Sequence, residues 1–539
     1  MTEPVDPPSG AAGLPTRVPI VRGRGVTETE RHLAKLAEQS FLDLWCYPNL
    51  YRSQKLRGEG DGKELCDLLV VCGKHIIIFS EKCISWSAAD VPVAWARWCK
   101  RAIKNAVDQL AGAERWIAEF SDRIYLDKDC TQPFPISFPV PEERIVHRIV
   151  VARGAGEACR KFFNGGTGSF IIDPSVKGPC HWSSKERPVQ PFVVGDIDPD
   201  GGFVHVLDDA SLDVVLDELD TISDFANYLQ KKEEFIRSGL LARACGEEDL
   251  LAYYMVQTKE DGSHVFVPQN DGGGAGDQPI TIDCSHYPTL LKNPQYRAKK
   301  DADQISYLWD GLITNFTEHM LGGTSQVPDG VEYDLRNSEK AIRYMALEDR
   351  LHRRAHGVAV DGAMRQGAVA DRFFRAMVKR GGQQGCETGF FFLTLKYLDW
   401  MEPLGGYEHY RLKRQELMTA YAQGLLLRYS YLRRVVGVAV EPPAQGGGSS
   451  EDLIYIERGE WTKEFEAAVT EQSRRLNIFQ QGFEEREYRD QEFPFVGSVP
   501  GQAPPKKKKF TRKERKARQK RRQKQADRER RRARREGGE

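Results

Sequence analysis

The sequence predicts a mixed α/β protein: an N-terminal mixed sheet flanked by helices, a second mixed α/β domain, and a disordered basic C-terminal arm. Three observations carry that reading. Short apolar runs such as 66–72 (CDLLVVC) and 75–82 (HIIIFSEK) alternate with longer segments whose apolar residues recur every three or four positions, so strands and helices share the chain. A length of 539 residues exceeds one ordinary core, so at least two domains are expected. Charge is also divided sharply. The formal net charge is zero, yet residues 506–539 hold 19 Lys/Arg against five Asp/Glu, about +14. The remaining 505 residues hold 59 basic and 73 acidic side chains, about −14.

In chain order, residues 1–25 lack periodicity and are expected to be a flexible leader. A helix then starts at Thr27 or Thr29, with Leu33, Leu36, Ala37, Phe41, Leu42 and Leu44 at helical spacing. A Gly-rich charged loop at 57–63 leads to strands 66–72 and 75–82, joined by a Cys72-Gly73-Lys74 turn into a hairpin. A long helix is predicted from about 93 to 120, with strands at 145–151, 169–172 and 204–207 and a short helix near 157–163. Helices 212–219 and 222–237 close a first domain of residues 26–238. The second domain, 239–493, is expected to hold a strand near 264–267, helices at 301–320, 338–356, 364–380 and 411–430, and a strand at 390–395. Strands 435–440 and 453–456 are expected to pair across the Gly/Ser stretch 445–450, before a last helix at 462–479. Residues 494–505 read as a linker and 506–539 as the arm. No internal repeat is visible.

No run approaches 18 apolar residues, so no membrane-spanning helix is expected. The N-terminus lacks the apolar stretch of a signal peptide. Eleven scattered cysteines, with no C-x-x-C pair, argue against a disulfide framework or zinc ribbon and for a reduced, cytoplasmic protein.

Residues 28–109 carry the chemistry. A metal-dependent phosphodiesterase needs carboxylates to hold Mg²⁺ and a lysine to orient water and steady the phosphate. Here Glu30 and Glu38 lie on the first helix, Asp67 opens an apolar strand, Ser80-Glu81-Lys82 ends the next, and Gln109 lies on the helix that follows. This arrangement over about 28–120 resembles the PD-(D/E)xK restriction-endonuclease-like superfamily, and more loosely its NERD-like branch. The resemblance implies a restriction-endonuclease-like sheet and a nuclease site: Asp67 and Glu81 as Mg²⁺ ligands, Lys82 assisting water, and Glu38 as a further catalytic acid. One departure stands out. The family's second acid lies two residues before the lysine, where this chain has Ser80. On a regular strand Ser80 and Lys82 share a face and Glu81 points away. A bulge could turn Glu81 inward, Glu38 or Glu64 could take the missing role, or the site could be dead and the fold kept for binding.

Arg97, Lys100, Arg101 and Lys104 crowd one helix with Asn105 and Gln109, and are expected to meet nucleic-acid phosphates or bases. The alternative is an amphipathic helix with a solvated basic face. The arm, through Lys506, Lys509, Arg512, Arg521, Arg522 and Arg531, is expected to hold nucleic acid non-specifically, DNA before RNA. It could instead fold onto the acidic body or meet an acidic protein. His352 and His356 stand four apart, but Arg353 and Arg354 between them would repel a cation. The Gly-rich runs lack the residues of a phosphate loop. No small-molecule cofactor is evident, and a homo-oligomer is compatible with the sequence. Set against the nuclease are a catalytically lapsed nucleic-acid-binding protein and a scaffold whose acidic body meets a partner.

Overall fold

The computed structural model describes all residues except 1–16, 55–61, 186, 260–261, 268–277, 328–331, 384, 443–449, 480–482 and 496–539. The linker from 496 and the arm, with Lys506, Lys509, Arg512, Arg521, Arg522 and Arg531, lie outside the described residues.

The described chain is mixed α/β, built on three mixed sheets flanked by helices. The first sheet has the order β4-β1-β2-β3-β5-β8, from β1 (Cys46–Arg52), β2 (Lys63–Cys72), β3 (His75–Cys83), β4 (Ile124–Tyr125), β5 (Ile145–Arg153) and β8 (Val204–Asp208). The second has the order β10-β9-β6-β7, from β6 (Ile171–Lys177), β7 (Val193–Asp196), β9 (Leu241–Ala244) and β10 (Ile280–Ile282). The third runs β11 (Arg372–Val378), β12 (Thr388–Leu395), β13 (Arg434–Val440) and β14 (Glu451–Glu457) in spatial order.

The expected hairpin forms as β2 and β3, whose Cys72↔His75 pair closes over a turn in which Gly73 takes φ +59°. Such a positive φ suits glycine, which has no Cβ to clash. Strands β13 and β14 also pair as expected, Val435 against Ile456. Helix α1 (Glu28–Phe41) covers one face of the first sheet, where Phe41, Phe79 and Phe225 meet. Helices α2 (Val91–Cys99) and α3 (Asn105–Glu119) cover the other face. The π-helical turn Lys100–Lys104 joins them, and Trp95, Trp98 and Leu110 are buried there.

Several expectations are corrected. The helix expected at 364–380 is two elements, because Arg372–Val378 pairs residue for residue with β12 and the preceding helix stops at Gly367. The helix expected at 338–356 breaks at Leu347, and Asp349 caps a new one by accepting from the His352 N–H. Near 264 only an isolated Thr258–His264 bridge forms. Residues 17–25 of the expected flexible leader are tied down: the Ile20 N–H donates to Leu321 at 2.8 Å, and the Arg17 guanidinium lies 3.8 Å from the centre of the Tyr333 ring. Cys245 and Cys284 form a disulfide, against the expectation of free thiols. Parallel pairing of Ala244 with Ile282 brings the residues just beyond them together, a proximity that spacing alone hides. The seam expected at 238/239 runs through the second sheet, since β9 pairs with β6, and one compact unit extends to Glu492. Among the described residues no helix is long and apolar enough to cross a membrane.

Candidate active site

Strands β2 and β3 part company at Asp67. Their pairing runs from Cys72↔His75 to Leu68↔Phe79, which leaves Asp67 opposite Ser80 without a ladder partner. The Asp67 carboxylate fills the gap itself. Its Oδ2 accepts the Glu81 N–H at 2.6 Å and lies 3.5 Å from Lys82 Nζ. Asp67 is only 5% exposed, and burial, opposed chiefly by Lys82, pushes its carboxyl above the usual range.

On the other side, β3 stays in register with β5 through Cys83, so no bulge turns Glu81. Strand alternation then separates the two acids' neighbours. Ser80 faces α3, where its hydroxyl donates to Gln109 Oε1 at 3.1 Å. Glu81 faces α1, with its Oε1 3.3 Å from Arg153 Nε. Neither of those two atoms has a hydrogen-bond partner, and both are buried. Burial first, and then Asp67 and Glu30, raise the Glu81 carboxyl.

Glu30 arrives from the first turn of α1, locked there by a capping box. The Thr27 hydroxyl accepts the Glu30 N–H at 3.1 Å, while Glu30 Oε2 accepts from the Val26 N–H at 2.8 Å. Asn49 completes the cluster. It sits in β1 opposite Asp67, takes φ +52°, and donates through Nδ2 to Glu30 Oε2 at 3.1 Å and Glu64 Oε1 at 3.2 Å. Asparagine tolerates the left-handed region better than most residues. Burial acts to raise the Glu30 carboxyl, but the bonds from Asn49, Val26 and Thr27 together bring it below its usual value. Glu64 goes the other way, raised by burial and by Asp67 and Glu30. Four carboxylates therefore face two cations, Lys82 and Arg153.

Glu38 is corrected. Two turns along α1 from Glu30, it pairs with Arg22 at 3.2 Å; Arg22 also reaches Asp43 at 3.3 Å and the Cys46 carbonyl at 3.0 Å. Burial, Lys82, the Glu81 N–H, Glu30 and Ser80, and not Glu38, are the main influences on the Asp67 carboxyl. The helix rise explains the exchange, because eight residues carry Glu38 about 12 Å along the axis from Glu30. Asn49 was missed altogether; an asparagine following Pro48 inside an apolar run was the one signal available.

The metal question turns on donor chemistry. The four acids of the cluster offer carboxylate oxygens, which suit Mg²⁺. Among the described residues no three His, Cys, Asp or Glu are grouped to hold an ion. Mg²⁺ commonly rests on one or two carboxylates and takes its other oxygens from water and phosphate. Glu81 Oε1, which makes no hydrogen bond and has Arg153 Nε at 3.3 Å, is compatible with that sparser form.

Arg97, Lys100 and Arg101 are exposed along α2 and the π-helical turn, and Asn105 is exposed at the start of α3. Lys104 is held by Asp108 at 2.6 Å. His352 and His356 each take a separate acid, Asp349 at 2.7 Å and Glu348 at 3.2 Å, and so do not converge. No family model matches this chain, and neither does any curated protein or solved structure.

Proposed function

We propose that the protein is a metal-dependent phosphodiesterase acting on nucleic acid, with its site where β2 and β3 separate. The observation that carries this reading is the buried Asp67–Lys82 pair set among Glu81, Glu30 and Glu64, four carboxylates against the two cations Lys82 and Arg153. Asp67 and Glu81 would hold Mg²⁺, with Glu30 beside them. Bound there, the ion would polarise a phosphoryl oxygen and acidify a water. Lys82, whose side chain keeps 27% exposure, would orient the attacking water and steady charge on the phosphate. Gln109 would fix Ser80 and, through it, the end of β3. Arg97, Lys100 and Arg101 offer phosphate contacts on the adjacent helix, and the arm captures the polyanion. Placement in the cytoplasm belongs to the same reading, and the Cys245–Cys284 disulfide stands against it, since such bonds are rare in reducing compartments.

Cleavage of plasmid and single-stranded DNA with Mg²⁺ tests the proposal. Asp67→Ala and Lys82→Ala are expected to lower the rate by about 100-fold or more, and Glu38→Gln to leave it unchanged. Cutting by all three at the wild-type rate would place the chemistry elsewhere. A second reading, a lapsed site kept for binding, is favoured by Ser80 in the acid's position and by the engagement of Glu81 with Arg153. It predicts no cutting by the wild type and oligonucleotide binding unaltered by Asp67→Ala.

A further inference from the structure

Residues 484–492 (EEREYRDQE) cross the surface with no helix or strand, and among the described residues they make no backbone-to-backbone hydrogen bond. Side chains alone hold this strap, which carries five acids and two arginines. Arg428 Nε and the Tyr429 hydroxyl both donate to Glu485 Oε1 at 2.8 Å. Arg380 pairs with Glu487 at 2.7 Å, and Arg354 lies 3.5 Å from Asp490. Arg354 also donates to the Gln491 and Glu492 carbonyls, while Glu492 is anchored by His264 at 2.7 Å and Lys299 at 3.6 Å. Five basic side chains from separate parts of the fold thus line the strap as a basic track, and four of its five acids lie against them; Glu484 pairs instead with Arg486 of the strap, and Glu487 is shared with Arg489.

The two ends of the track differ. At the Glu492 end the cations also serve the core: Arg354 Nε holds Asp303 at 2.9 Å and Lys299 holds it at 2.8 Å. At the other end Arg428 and Arg380 keep 42% and 68% side-chain exposure even under the strap. Exposed ion pairs of that kind are individually weak and screened by salt. The strap is pinned at Glu492 and loosely held upstream.

We propose that the strap upstream of Glu492 is displaceable, and that the Arg428–Arg380 track beneath it takes the phosphate backbone of a nucleic acid. Two features favour phosphate over an acidic protein. The free end of the track is arginine, whose planar fork of donors matches phosphate oxygens. The basic arm, which begins 14 residues beyond Glu492 in the sequence, carries a charge suited to the same ligand. This inference rests on nucleic acid as partner but not on cleavage, and it survives a dead Asp67 site.

The test uses the full chain and a fluorescent single-stranded DNA of about 20 nucleotides, read by anisotropy, with polyglutamate as competitor. Glu485→Gln/Glu487→Gln/Asp490→Asn is expected to tighten binding about tenfold by removing the competing carboxylates, and to steepen the salt dependence by about 0.7 for each further phosphate neutralised. A control of equal charge change at exposed positions, Glu119→Gln/Glu142→Gln/Glu143→Gln, is expected to give little gain. Adding Arg380→Gln/Arg428→Gln to the strap variant should erase the gain. The proposal is overturned if the folded strap variant binds as the wild type does, if the control gains as much, if the gain survives loss of both arginines, or if it appears for polyglutamate and not for DNA.

Discussion

Three histidines, His75, His147 and His205, are buried in adjacent strands on the α1 side of the first sheet, with His75 Nδ1 3.3 Å from His147 Nε2. Burial, with nearby positive charge, holds His75 and His147 down to about 4 and about 3, and His205 well below a free histidine. They stay neutral when folded, while the unfolded chain protonates them below their ordinary 6.5. The stability they confer is therefore complete above pH 6.5 and drains away as pH falls from there towards the folded values. Asp208, raised to about 6 by burial, pulls in the opposite sense. A comparison of variants isolates one histidine. His147→Leu should lose about 2 kcal/mol less stability than the wild type between pH 7 and pH 5, measured as urea midpoints at each pH; equal losses would contradict the assignment. At this scale the candidate site was partly legible. Asp67 and Lys82 were proposed from the order of acid, strand and lysine and the facing of Ser80 from strand alternation, whereas Asn49 and Arg153 join through register between strands distant in sequence.

Among the elements, the third sheet shows how tightly β13 lies against its neighbour. Gly437 pairs with Phe391, and a Cβ there would come within 2.0 Å of the Phe391 ring, which is itself 1% exposed. Gly437→Ala forces the ring or the strand to move and is expected to cost about 1–3 kcal/mol, seen as a lowered melting temperature; an unchanged melt would show that the ring has room to yield. Elements with one clear period were readable in advance, the β2–β3 hairpin above all. Strand β1 was not, because Pro48 and Asn49 interrupt its pattern and Leu42 and Leu44 continue the spacing of α1. The sequence of β11 predicts a helix because Phe373, Phe374, Met377 and Val378 satisfy helical spacing too. The ladder with β12 decided between the two periods, and that pairing is invisible in any local window.

For the whole molecule, the division of charge is the organising feature. A body near −14 repels a nucleic-acid backbone, so under the proposed function the arm supplies most of the long-range attraction. Deleting 506–539 should weaken oligonucleotide binding and flatten its salt dependence by about 0.7 for each single-strand phosphate that the arm no longer neutralises. Undiminished binding would contradict the role given to the arm and leave binding to the body alone. The domain seam was the least legible property, because β6 and β9 pair across it and composition does not change there. The central claim is that a divalent cation sits where β2 and β3 part. Crystals soaked in Mn²⁺ and measured at its absorption edge test this most directly. The account predicts an anomalous peak about 2.2 Å from carboxylate oxygens of Asp67 and Glu81, lost in Asp67→Asn. A map with no peak there, or with a peak held by other residues, would contradict it.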